Sequence, residues 1–118
     1  MKIYTGNRMR VTDPFLGVGT GQHDGWVEHT ALVVTVNGQP LDPRLDLANK
    51  SPTGFECGYG GSGPHQLALA ILADFLHDDA KALSLMHEFT VDVIARLPRD
   101  REWQLSETQL TQWLQGHP

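Results

Sequence analysis

The stretch SPTGFECGYGGSGPHQLALAILADFL runs five glycines, Gly54, Gly58, Gly60, Gly61 and Gly63, straight into an apolar, helix-forming segment. Glycines at that density let the backbone take φ > 0 and approach a neighbour closely, while Pro64 presets a first helical turn. The N–H groups from Gly58 through Gly60, Gly61, Ser62 and Gly63 can form a nest at the positive end of that helix. Ser62 and His65 would add side-chain donors, and Arg44, from LDPRLDLANK, would add a guanidinium. A nucleotide or other phosphate compound is the ligand such a site would take. The same glycines serve a tight strand-to-helix joint, with Ser62 or Gly63 capping the helix, and this packing role is the first expectation. Glu56, in the strand before the joint, and Asp42 and Asp46, beside Arg44, fit a ligand pocket or a salt-bridge cluster that pins a loop.

Other constellations fall short of chemistry. No Lys-Ser or Lys-Thr follows the glycines, so they are not a Walker loop, and the spacing is not that of a dinucleotide fingerprint. The run Leu16-Gly17-Val18-Gly19-Thr20-Gly21 has no helix after it. His23, Asp24, Glu28 and His29 lie close in sequence, but two loop histidines do not define a coordination geometry, and no metal is expected there. His77-Asp78-Asp79 reads as a helix end. Gly60-Gly61-Ser62-Gly63-Pro64 fails as a nucleophile elbow at its last position. Cys57 and His65 flank the joint, yet a half-buried strand cysteine behaves first as a small hydrophobe. No catalytic residue and no cofactor is expected.

The elements that must position these residues follow from pattern. Residues 2–5 read as a short strand that residues 9–12 could extend, and residues 15–29, with four glycines, read as a long loop or hairpin tip within an excursion over 8–30. Residues 31–36 are β-branched and apolar, and Asn37-Gly38 predicts a hairpin returning through residues 39–41. Residues 44–47 alternate as a half-buried strand, and residues 55–59 form a last strand candidate. Apolar residues recur at helical spacing from Pro64 to Leu76, and again from about Asp79 to Leu97, where Pro98 stops the second helix. Ser106 and Gln109 make a capping box for a third, with Leu105 facing Leu110. Strands first and helices second predict an α+β fold: a small antiparallel sheet from the N-terminal half, packed by three C-terminal helices.

At 118 residues, 40% hydrophobic and 19% charged, the chain suits a single globular domain. The net charge of −5, with nine scattered Lys and Arg, argues against direct binding of nucleic acid and leaves open the basic surface of another protein. A lone cysteine excludes an intrachain disulfide and suits a reducing interior. The start MKIYTGNRMR has no apolar run of a signal peptide and no stretch reaches membrane length, so a cytoplasmic location without membrane contact is the expectation.

The run VVTVNGQPLDPRLDLANKSPTGFECGYGGSGPHQLALAILADFL, with KIYTG before it and RLPRD and WQLSETQL after it, resembles a domain-of-unknown-function family of small proteins. Members are encoded by phages, plasmids and other mobile elements. The core Ser-Pro-Thr-Gly-Phe-x-x-Gly-Tyr-Gly-Gly-Ser-Gly-Pro-x-Gln carries the likeness. Cys57 stands where an aromatic residue is expected in relatives, and the segment from about Arg8 to His29 looks longer than theirs. The resemblance implies an accessory protein that binds a host protein or defence complex without turnover, as an inhibitor of host defence. His23, Asp24, Trp26 and Glu28 of the excursion are its expected contact residues. The alternative is a binder of a nucleotide or phosphate at the glycine joint.

Overall fold

The computed structural model describes residues 1–14, 26–52 and 54–118, with side chains given outside 11–29. Two long strands dominate it. β1 (Ile3–Pro14) and β2 (Trp26–Val36) pair antiparallel from Tyr4↔Val36 to Pro14↔Trp26. β2 turns at Asn37-Gly38, where both residues have positive φ (49° and 83°), as a type I′ hairpin turn requires, into β3 (Gln39–Pro40). The sheet has the order β3-β2-β1-β4, and β4 (Trp103–Ser106) comes from late in the chain, antiparallel to residues 3–6 of β1.

The fold is the expected α+β arrangement, with three helices C-terminal to the first strands. α1 (Ser62–Leu76) runs through the middle of the protein, and Leu67 to Leu72 are fully buried. His77, in the left-handed conformation (φ 53°), ends it, and Asp78 accepts from Lys81 N (3.1 Å) to start α2 (Asp79–Asp92) against it. α3 (Glu107–Gln115) opens on the capping box foreseen at Ser106 and Gln109, with both reciprocal bonds made, and Leu105 and Leu110 are buried. Tyr4, Leu32 and Val34 of the sheet, Phe89 of α2 and Ile94 complete the core.

Four expectations change. α2 stops at Asp92 instead of Leu97, and a 3-10 turn (Ile94–Arg96) follows, because β-branched residues crowd residues 90–94 and the Ile94 carbonyl is taken by Gly58 N (3.0 Å). Residues 44–47 form a turn, not a strand: Arg44 has φ 55°, and its N–H donates to Asp42 Oδ1 (2.9 Å). Of residues 55–59 only Phe55 pairs, through a single bridge to Leu32, since Gly58 has φ 85°. Residues 26–29, read as a long loop or hairpin tip, lie in β2, so the loop alternative gives way to the hairpin, whose paired strands run far into the 8–30 excursion. Residues 15–25, with His23 and Asp24, lie outside the described residues.

Candidate functional site

The glycine joint is packed largely by the chain itself. A Cβ at Gly58 would run into Arg99 Cγ, one at Gly61 would come within 2.5 Å of Tyr59 Cε2, and one at Gly63 within 2.7 Å of Glu56 Cβ. Gly60 faces open space. The Arg99 guanidinium lies 5.2 Å over the Tyr59 ring. Gly61, not Ser62 or Gly63, is the N-cap of α1, and no side chain caps that helix. A cleft of ≈360 Å³ opens between residues 30–32 of β2, Phe55, Glu56, Tyr59 and the first turn of α1 at Ser62 and Gly63.

The remaining residues of the expected ligand set point elsewhere. Arg44 donates to both carboxylate oxygens of Asp46 (3.0 and 3.1 Å) and of Asp79 (3.2 and 3.0 Å). It thereby ties the 44–47 turn to the start of α2, at the far end of α1 from the joint. These bonds push the guanidinium pKa up and hold the Asp46 carboxyl below its usual range. His65 is turned along its own helix, with Nδ1 2.7 Å from Gly61 O and Nε2 3.0 Å from His87 Nδ1. The Gly58 N–H is spent on Ile94. Thus only Ser62 and Gly63 of the expected set line the cleft.

The Glu56 wall of the cleft is fixed by a residue far away in the chain. Arg8 of β1 grips Glu56 bidentately (3.1 and 2.7 Å) and donates through Nε to Arg99 O (2.6 Å). The Arg8 hydrogen bond holds the Glu56 carboxyl below its ordinary value, against a smaller opposing effect of burial. At the other end of the sheet, Asp74 Oδ2 accepts from Tyr4 Oη (2.6 Å) and Lys2 Nζ (3.0 Å). Burial alone would raise the Asp74 pKa, but those two bonds outweigh it and lower it, while burial and the Asp74 bond push the Tyr4 hydroxyl far up.

Both carboxylates therefore titrate lower folded than unfolded. Their stabilisation is complete above the unfolded values of 4.5 for Glu and 3.8 for Asp, and disappears as pH falls through the folded ones. The urea midpoint is expected to be level from neutral pH to about 5 and to fall steeply below about 4. Glu56→Gln should flatten that fall, and an identical acid limb in the variant would refute the assignment.

Gln66 is the residue that pattern reading passed over. Fully buried in α1, it uses its whole amide: Oε1 accepts from Lys50 N (2.7 Å) and Ser51 N (3.1 Å), and Nε2 donates to Pro43 O (2.6 Å) and Ala48 O (3.0 Å). It is the closing Gln of the Gly-Pro-x-Gln core, and its task is to hold the 43–51 loop. A lone polar residue on an otherwise apolar helix face was the available signal.

Cys57 is completely buried, its thiol lies 3.5 Å from Pro98 O, and burial pushes its pKa up. Iodoacetamide should leave the native protein unlabelled over hours and modify Cys57 fully in urea. Rapid native labelling, read by mass spectrometry, would contradict that burial.

A family model described as a family of unknown function, DUF6166, matches residues 21–116. The chain belongs to that family. No curated protein and no solved structure matches it. The DUF6166 match takes in β2, the glycine joint, Gln66 and all three helices, whereas β1 precedes it. Residues 21–29 of the segment that looks longer than in relatives fall inside the match. No helix among the described residues is long and apolar enough to cross a membrane.

Proposed function

We propose that this protein is a non-enzymatic binding module that grips another protein with the arm formed by β1 and β2. The carrying observation is the length of that arm. β4 pairs only with residues 3–6 of β1, and β3 only with Thr35 and Val36 of β2, whereas β1 and β2 stay paired for six further positions from Met9↔Ala31 to Pro14↔Trp26. At about 3.4 Å per residue those six pairs extend roughly 20 Å. The long axis of the molecule, 53 Å against 26 and 24 Å, reflects them. Met9, at the arm's root, is half exposed. Among the described residues no further strand pairs along either side of this stretch, an arrangement that strand addition or groove insertion into a partner uses.

Trp26 and Glu28 belong to the arm strand β2, so two of the four expected contact residues ride on it. An acidic chain fits a basic partner surface. On this reading the chain is an accessory protein of a phage or mobile element, its partner is a host protein of a defence complex, and it acts by occupying that protein's surface. The phosphate reading is weaker on geometry, because an anion in the cleft would lie beside the Glu56 carboxylate and would have to compete with it for Arg8.

The test uses the full chain and an arm-shortened variant as baits in host lysate, with bound proteins identified by mass spectrometry and the leading one purified for titration. Retention by the full chain alone supports the proposal. Equal retention by both, or stabilisation by a nucleotide with no protein retained, overturns it.

A further inference from the structure

We infer that the partner binds as an extended segment carrying lysine or arginine, added antiparallel to the outer edge of β2 at Trp26, Glu28 and Thr30. This rests on the binding role proposed for the arm and names the edge that the partner takes. The ladder fixes which backbone groups face outward. Asn37 N donates to Ile3 O (3.0 Å), toward β1, whereas Val34 O accepts from Leu41 N (3.1 Å), away from it. Backbone groups alternate sides residue by residue along a strand, and the β1–β2 register runs unbroken to Pro14↔Trp26. The N–H and C=O of Thr30, Glu28 and Trp26 therefore point away from β1, and no strand among the described residues pairs with them.

The chain begins to cover this edge itself and then leaves it. β3 pairs with Thr35 and Val36, and Phe55 bridges Leu32, both antiparallel. Beyond Phe55 the chain turns inward, to the buried Cys57 and the bond from Gly58 N to Ile94 O. The cleft beside Thr30, Ala31 and Glu56 is the space it vacates. A segment continuing the same line starts in the cleft and runs out along the arm toward Trp26. Glu56 is the one charged residue among those lining the cleft, and Arg8 grips it from outside that lining. Glu28 stands midway along the edge, and the chain carries a net charge of −5, so the segment that fits is basic. A second copy of the chain fits worse: laid antiparallel to engage all three residues, it would set Glu28 against Glu28.

The probe is the protein that the full chain retains from host lysate, purified. Thr30→Pro removes one outward N–H and no bond to β1, so the arm stays paired while affinity falls about tenfold or more. Thr12→Pro is the mirror control. Thr12 faces Glu28 in the ladder, its N–H points to the outer edge of β1, and its loss should change affinity by less than about twofold. In the complex of the unmodified chain, hydrogen exchange at the Thr30 and Glu28 amides should slow by about tenfold or more, while that of Ala31, already committed to β1, changes little. Affinity should fall as salt rises. Undiminished binding in Thr30→Pro, equal loss in both variants, exchange that slows without alternation, or affinity indifferent to salt would overturn the inference and leave the arm as the binding element. A doubled native mass of the chain alone, abolished by Thr30→Pro, would give the edge to a second copy and overturn it as well. Full binding by the arm-shortened variant removes both.

Discussion

Gln66→Leu is expected to destabilise the protein by about 3–5 kcal/mol and to lower Tm by roughly 10–20 °C. The size follows from what leucine leaves behind. Lys50 N, Ser51 N, Pro43 O and Ala48 O all lose the amide that satisfies them, in a place where the side chain has no solvent exposure. Each unmade bond to a buried backbone group costs about 1–3 kcal/mol, offset in part by relaxation of the loop toward water and by the apolar gain of leucine. Two readouts separate this from a general packing fault. Urea unfolding gives the global loss, and hydrogen exchange should show the Lys50 and Ser51 amides opening before those of α1. A loss below about 1 kcal/mol with both amides still protected would show that Gln66 does not hold the loop.

Replacing residues 10–30 by Asn-Gly, so that Met9 joins Ala31 through a two-residue turn, is expected to leave the body folded while binding to the partner falls by at least about a hundredfold. Arg10 and Thr30, at the two ends of the deleted stretch, are exposed, and the core residues named above lie outside it. Met9 and Ala31 already face each other in the ladder, so the new turn closes an existing pair. The urea midpoint should therefore correspond to a change within about 1 kcal/mol. Binding, measured by titration with the partner isolated by the full chain, carries the functional half. Undiminished binding by the shortened protein would move the interface to the body. A shortened protein that fails to fold would show the arm to be part of the core, contrary to its register.

Much of the local structure is legible from neighbouring residues. Asn37-Gly38, the capping box at Ser106 and the helix from the joint to Leu76 each depend on residues a few positions apart. Elements that depend on remote partners are less legible. Trp103 to Ser106 is too short to announce itself as a strand, and it becomes one because Trp103 covers Gly6 and Leu105 enters the core. Residues 44–47 alternate as a strand would, but two carboxylates across the turn and at α2 draw Arg44 into a left-handed conformation.

The candidate site divides in the same way. That glycines must lie where a strand meets a buried helix is a property of the sequence, since no other residue admits such close approach at Gly58. Which groups come that close, Arg99, Tyr59 and Glu56, was decided by the tertiary structure. The pairing of Arg8 with Glu56, the departure of Arg44 to Asp79 and the meeting of His65 with His87 join residues 48, 35 and 22 positions apart. The sequence by itself determined the α+β class, the turns, the caps and the acidic balance, because those follow from short-range sterics, periodicity and composition. Only the fold decided which charges neutralise each other, which face of the joint stays open and how far the arm reaches, because long-range contacts form wherever packing brings side chains together.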